Sequence, residues 1–149
     1  MNLPAESARL LGAVIAVVDN LLVTALLWAR VLGWRGVEHW LGLILIASAV
    51  PLGYLLISAL GNGQSAIYVV WLSLMILYLL VELILDYVLK SDFRQTLWIV
   101  IVYVMLFFSA TGGMIGVASR AGRLWTFLAV TTWIVMAGTA FYQRWKTGM

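Results

Sequence analysis

Two carboxylates one helical turn apart, Glu82 and Asp86, break the apolar run from Tyr78 to Lys90, and a third acid, Asp19, stands beside Asn20 in another such run. A carboxylate inside a segment fit to cross a bilayer is costly, so each of these positions is a candidate functional site. Tyr78, Glu82 and Asp86 follow at i, i+4 and i+8 and share one face of a continuous helix. A phenol and two acids on one face suit a proton relay or a site for a small cation. The same residues also suit a hydrogen-bonded seam against Asn20 and Thr24. Asp86 lies four residues before Lys90 and is expected to pair with it at the headgroup level. Asp19 and Glu82 have no base beside them in the sequence, because Lys and Arg occur only at the ends of the apolar runs. Each acid is then protonated, faces a wet cavity or holds a cation. The alternative for Asp19 and Asn20 is interhelical hydrogen bonding.

The remaining residue types narrow the chemistry. The chain has no Cys, which removes disulfides, thiolate nucleophiles and thiolate metal sites. His39 is the one histidine, so bis-His haem ligation is excluded, and no His at depth can activate a Ser nucleophile. No metal triad or cofactor motif is visible; carboxylates alone suit at most a hard cation.

Of the 149 residues, 64% are hydrophobic and 10% charged, whereas a soluble domain carries about a quarter charged residues. The predicted fold class is an all-α integral membrane protein, one domain over residues 1–149 with five transmembrane helices. Their expected bounds are 10–30, 40–60, 66–90, 93–117 and 124–143. Asn2 is a candidate N-cap for the first helix, with Pro4 and Glu6 in its first turn. The run is too long for a signal-peptide core, carries Asp19-Asn20 in its middle and is followed by no cleavage site. Pro51 removes a backbone hydrogen bond near the middle of the second span and is the expected hinge, with a kink toward Ala47. Ser65 is a candidate cap for the third span, and Ser91 with Asp92 makes the next turn. Asp92 and Gln95 have capping-box spacing for the fourth. That span carries Gly112, Gly113 and Gly116, the small-residue pattern that lets membrane helices approach closely, here against another helix's backbone. Of the eight Trp, Trp28, Trp34, Trp40, Trp98, Trp125 and Trp145 fall near span ends and fit an aromatic belt, while Trp71 and Trp133 sit deeper.

Glu82 lies about 7 Å past the centre of the third span and Asp19 near the middle of the first, so both are expected to point into one interior space. The function that fits is a transporter, or a protein of the cell membrane that binds a cation or other small molecule, with Asp19, Asn20, Tyr78, Glu82 and Asp86 as its site. Two alternatives stand beside it: a non-catalytic membrane subunit or scaffold, and a lipid-modifying enzyme using a carboxylate pair. The partners to expect are the lipid bilayer, a second copy or another membrane protein, and a small cation or proton. Nucleic acid is not expected, because the net charge of +3 comes from single basic residues at helix ends.

Basic residues also set the expected orientation. Arg30, Arg35, Lys90, Arg94, Arg144 and Lys146 lie on one face of the bundle, against Arg9, Arg120 and Arg123 on the other, which favours the N-terminus outside and the C-terminus cytoplasmic. A Cys introduced at Asn2 is expected to react with an impermeant thiol reagent added to intact cells, and one at Gly148 only after lysis. The opposite pattern reverses the orientation.

Overall fold

The computed structural model describes residues 3–90 and 92–148. Among these residues the chain is all-helical, and five helical segments are long and apolar enough to cross a membrane. The first is α1 (Ala5–Leu32). The second is broken into α2 (Arg35–Ala47) and α3 (Ala49–Gly61). The third is α4 (Ala66–Glu82), prolonged by a π-helical segment, Leu83–Val88. The fourth is α5 (Leu97–Ser119), and the fifth is α6 (Arg123–Thr147).

Backbone chemistry explains where these helices stop. After α1, Gly33 takes a left-handed φ of 72°. The Trp34 amide then donates to the Ala29 carbonyl at 2.9 Å and the Gly33 amide to the Arg30 carbonyl at 3.2 Å. That pair of bonds is a Schellman cap, and it needs a residue without a Cβ. Gly63 repeats it after α3, with Gln64 donating to Ala59 at 3.0 Å. The second span breaks at Ser48. Pro51 has no N–H for the Ala47 carbonyl, and its ring crowds that carbonyl. The chain tightens in response: the Ser48 amide donates to Leu45, and the ladder resumes with Leu52 donating to Ser48, each at 3.1 Å.

Several local expectations are corrected. Pro4 precedes the first helical residue, Ala5, and is not part of the first turn. The proposed cap Asn2 and the turn residue Ser91 lie outside the described residues. Ser65 stands at the start of α4, but its hydroxyl accepts a bond from Arg120 Nη2 at 2.9 Å and does not cap the helix. Asp92 and Gln95 form no capping box. Phe93–Gln95 is a short 3-10 turn in which Gln95 Nε2 donates to Asp92 Oδ2 at 2.7 Å, and α5 starts four residues later than expected, at Leu97. An extended Thr96 separates the two, so one helix cannot run through from Phe93.

The first helix is the hub. It packs most extensively on α6 and also on α2 and α5, while α4 lies against α5 and α3. Small residues permit this: Ala13 and Ala16 are fully enclosed, and a side chain on Gly12 would meet Val117 at 2.8 Å. Leu52, Leu72, Met75, Leu79, Met114 and Met136 fill the core. In a bilayer such packing is driven by dispersion contacts, since lipid tails are as apolar as these side chains.

The glycines of α5 work through a side chain, which corrects the expectation of a neighbouring backbone. A Cβ built on Gly113 would lie 2.9 Å from the Trp71 indole, and one on Gly116 would lie 2.5 Å from it. Gly112 is looser, its nearest neighbour being Trp133 Nε1 at 4.0 Å. Replacing Gly116 by Ala therefore overpacks the Trp71 seat and is expected to cost about 1–3 kcal/mol. Gly112→Ala is expected to be near neutral. Thermal unfolding of both variants in detergent checks the contrast, and equal midpoints would remove Trp71 as the reason for the glycines.

Candidate functional site

Adjacent residues on α1 point about 100° apart, and Asp19 and Asn20 accordingly serve different neighbours. Both are 2% exposed. Asn20 Nδ2 donates to Thr132 Oγ1 at 3.1 Å and to the Ala129 carbonyl at 3.3 Å, which ties α1 to α6. Asp19 Oδ2 lies 3.0 Å from Ser48 Oγ, at the break in the second span. Ser48 Oγ is also 2.7 Å from the Leu45 carbonyl. One hydroxyl proton serves one of these acceptors at a time, so this contact joins the kink to the centre of α1 through a single hydroxyl. The expected seam of Asn20 and Thr24 with the third span does not form. Thr24 bonds back to the Asn20 carbonyl of its own helix at 2.8 Å.

Glu82, the last residue of α4, is 4% exposed. Tyr103 of α5 donates a hydrogen bond to its Oε2. The Tyr78 ring lies beside that of Tyr103, with 6.0 Å between ring centres. The result is a buried carboxylate that one phenol bonds and a second phenol flanks. Tyr103 escaped the sequence reading, although a depth comparison points to it. Glu82 is five residues past the midpoint of 66–88 and Tyr103 five before the midpoint of 97–119. Consecutive spans run antiparallel, so both residues sit about 7.5 Å to the same side of centre.

Past Glu82 the helix widens. Leu89 donates to Ile84, five residues back, at 2.8 Å, and Lys90 ends the segment at a φ of 47°. This winding takes Lys90 away from Asp86, which instead meets Arg94 Nη2 at 3.5 Å, correcting the expected i, i+4 pair. It also ends the common face of Tyr78, Glu82 and Asp86, which holds only for a continuous α-helix. Tyr87 fixes the segment against α2: its hydroxyl donates to the His39 carbonyl at 2.9 Å and passes over Gly42, where any Cβ would collide with it. The His39 ring lies against that of Tyr87, tilted by 44° with 5.2 Å between ring centres.

Two cavities meet at Glu82. One is an apolar cleft of about 140 Å³ whose walls include Tyr78, Phe93, Tyr103, Phe107 and Phe141. The other is a polar vestibule of about 550 Å³ carrying Arg30, Arg35, Glu38, Asp86 and Arg94. Glu82, Arg30 and Arg94 border both. Arg30 and Arg94 thus stand near Glu82 after all, yet both are paired elsewhere, while Arg35 and Lys90 line the vestibule without an ion pair among the described residues. Arg30 Nε pairs with Glu38 at 2.7 Å and Arg94 with Asp86. Among the described residues Glu82 belongs to no ion pair, and no three His, Cys, Asp or Glu side chains converge as a metal site would require.

Asp19 lines neither cavity, which corrects the expectation of one shared interior space. The reason is a layer of apolar side chains. One to two turns beyond Asp19 on α1, Val23, Leu26 and Leu27 form the wall of the cleft together with Leu45. The structure therefore groups Tyr78, Glu82 and Asp86 with Tyr103, Arg30 and Arg94. It leaves Asp19 and Asn20 as separate ties from α1 to the second span and to α6.

No family model matches the chain, and comparison with curated proteins and with solved structures finds no significant match.

Ser48→Ala strips Asp19 of its hydrogen-bond partner in the bundle centre and is expected to cost about 1–3 kcal/mol. Asp19→Asn keeps both a donor and an acceptor toward Ser48 and is expected to cost under about 1 kcal/mol. Unfolding of the two variants in detergent measures the difference; a milder Ser48 variant would dissolve the link.

Proposed function

We propose that this multi-pass membrane protein binds, and carries across the cell membrane, a small amphipathic cation, with Glu82 as the charged end of its site. The observation that supports this reading is the state of Glu82. It is a buried carboxylate between an aromatic cleft and a charged vestibule, hydrogen-bonded by a phenol while the nearby arginines are engaged with Glu38 and Asp86. Water does not compensate a carboxylate at this depth, so a proton or a cationic ligand is its natural counter-charge. The rings of Tyr78, Tyr103 and Phe107 offer apolar area and π faces that attract a cation. Tyr103 positions the carboxylate and provides a hydroxyl through which a proton can pass when the ligand arrives, while Tyr78 lines the cleft beside them. On this reading the N-terminus lies outside and the vestibule opens to the cytoplasm, where Arg30, Arg35 and Arg94 also fit the positive-inside rule.

Tetraphenylphosphonium, a lipophilic aromatic monocation, is a suitable probe, titrated into the purified protein by tryptophan fluorescence. Wild-type protein is expected to bind it saturably. Glu82→Gln, which keeps an acceptor for Tyr103, is expected to bind at least about tenfold more weakly, a difference of ~1.4 kcal/mol. Equal affinity in the two proteins overturns the assignment of Glu82. Uptake of the same cation into proteoliposomes separates transport from binding alone: saturable binding without uptake makes the protein a binding subunit.

A further inference from the structure

At the other end of the bundle a cavity of about 330 Å³ lies between the start of α1, the end of α3 with its following turn, the start of α4 and the end of α5. Its polar wall comprises Arg9, Ser58, Asn62, Gln64, Tyr68 and Arg120, over an apolar floor that includes Leu55 and Ala59. Its charge pattern differs from that of the Glu82 end. There acids and bases are mixed; here every charged residue of the wall is an arginine.

Arg120 is held in position. Its Nη2 donates to Ser65 Oγ at 2.9 Å, and its guanidinium carbon stands 5.9 Å from the centre of the Tyr68 ring. Arg9 joins the wall from α1. Among the described residues neither arginine forms an ion pair. Glu6 precedes Arg9 by one turn but lies outside the wall. Two cations converging on one cavity repel each other unless an anion stands between them. Neutral donors are present as well: Asn62 Nδ2 gives one N–H to Ser58 Oγ at 3.2 Å and keeps another, and Gln64 adds its amide. Guanidinium forks match the oxygen spacing of phosphate and bond it in pairs. The cavity also lies at the ends of the spans, at headgroup depth, with an apolar floor beneath the charges.

The geometry points to a site for a phosphate-type oxyanion clamped between Arg9 and Arg120, taken from the headgroup of an anionic phospholipid or from free phosphate. It is separate from Glu82 and stands on its own residues.

The test uses the full chain, purified in detergent and stripped of lipid. Two probes are titrated at constant ionic strength against a chloride control: inorganic phosphate, and dihexanoyl-phosphatidylglycerol, a soluble short-chain lipid. At least one is expected to raise the thermal midpoint saturably. Arg9→Gln, which removes no side-chain hydrogen bond or ion pair found among the described residues, is expected to weaken that response about tenfold. Arg120→Gln is expected to do the same, with Arg120→Lys retaining part of the response because it keeps the charge and loses the fork. Glu82→Gln is expected to leave it unchanged. A response to phosphate alone identifies free oxyanion; a response to the lipid alone identifies the headgroup; responses to both, equally sensitive to the arginines, show that the oxyanion is what is recognised. No saturable response to either probe, or an undiminished one in Arg9→Gln, overturns the site.

Discussion

Everything in this bundle answers to one constraint: a polar group inside a bilayer has no water to fall back on and must find its partner within the protein. Among the described residues no enclosed side-chain nitrogen or oxygen lacks a hydrogen-bond partner. The bonds that satisfy them are also the ties between helices. Asn20 holds α6 to α1, Ser48 meets Asp19 across the kink, Trp133 Nε1 reaches Thr111 at 3.1 Å between α6 and α5, and Tyr103 joins α5 to the end of α4. With few such bonds available, each one selects a helix register more strongly than the surrounding apolar contacts, which lipid can imitate.

The same constraint separates the two acids of greatest interest. Asp19 meets a hydroxyl that is available because Pro51 breaks the second span nearby, and it is enclosed on all sides. Glu82 meets a phenol at the edge of a cleft, at the junction between α-helix and π-helix. π-Helical turns are costly and recur where function requires a side chain to be re-aimed. Here the turn aims Asp86 toward Arg94 and Tyr87 toward α2, and it opens the vestibule beside Glu82. A buried acid at an open junction can exchange its partner for a ligand; one sealed behind Val23 and Leu45 cannot. This is the physical basis for reading Glu82 as chemistry and Asp19 as architecture.

The two ends of the molecule are electrostatically unlike. At one, acids and bases are mixed, with Arg30 and Arg94 paired to Glu38 and Asp86 beside a carboxylate that belongs to no ion pair among the described residues. At the other, two arginines face a cavity without any acid. The proposals place a cation at the first and an oxyanion at the second, and the apolar core of α1, α4 and α5 separates them. The indole of Trp71, seated on Gly113 and Gly116, is part of that core.

The sequence alone determined the class, the number of spans and their approximate bounds. Length and apolarity are local properties, and a bilayer accepts few backbone solutions. It also marked the break near Pro51 and the acids at depth, because each follows from the chemistry of one residue. Partners were a different matter. Whether Asp86 meets Lys90 or Arg94 depends on a π-turn that no local pattern announces. Whether Gly116 faces a backbone or an indole depends on the rotation of α4 about its axis. Tyr103 becomes the partner of Glu82 because two antiparallel helices bring equal depths together, and Asp19 is cut off from both by one layer of Val and Leu side chains. Such outcomes belong to helix rotation and register, which are set by the summed packing of all five spans, so only the tertiary structure could decide them.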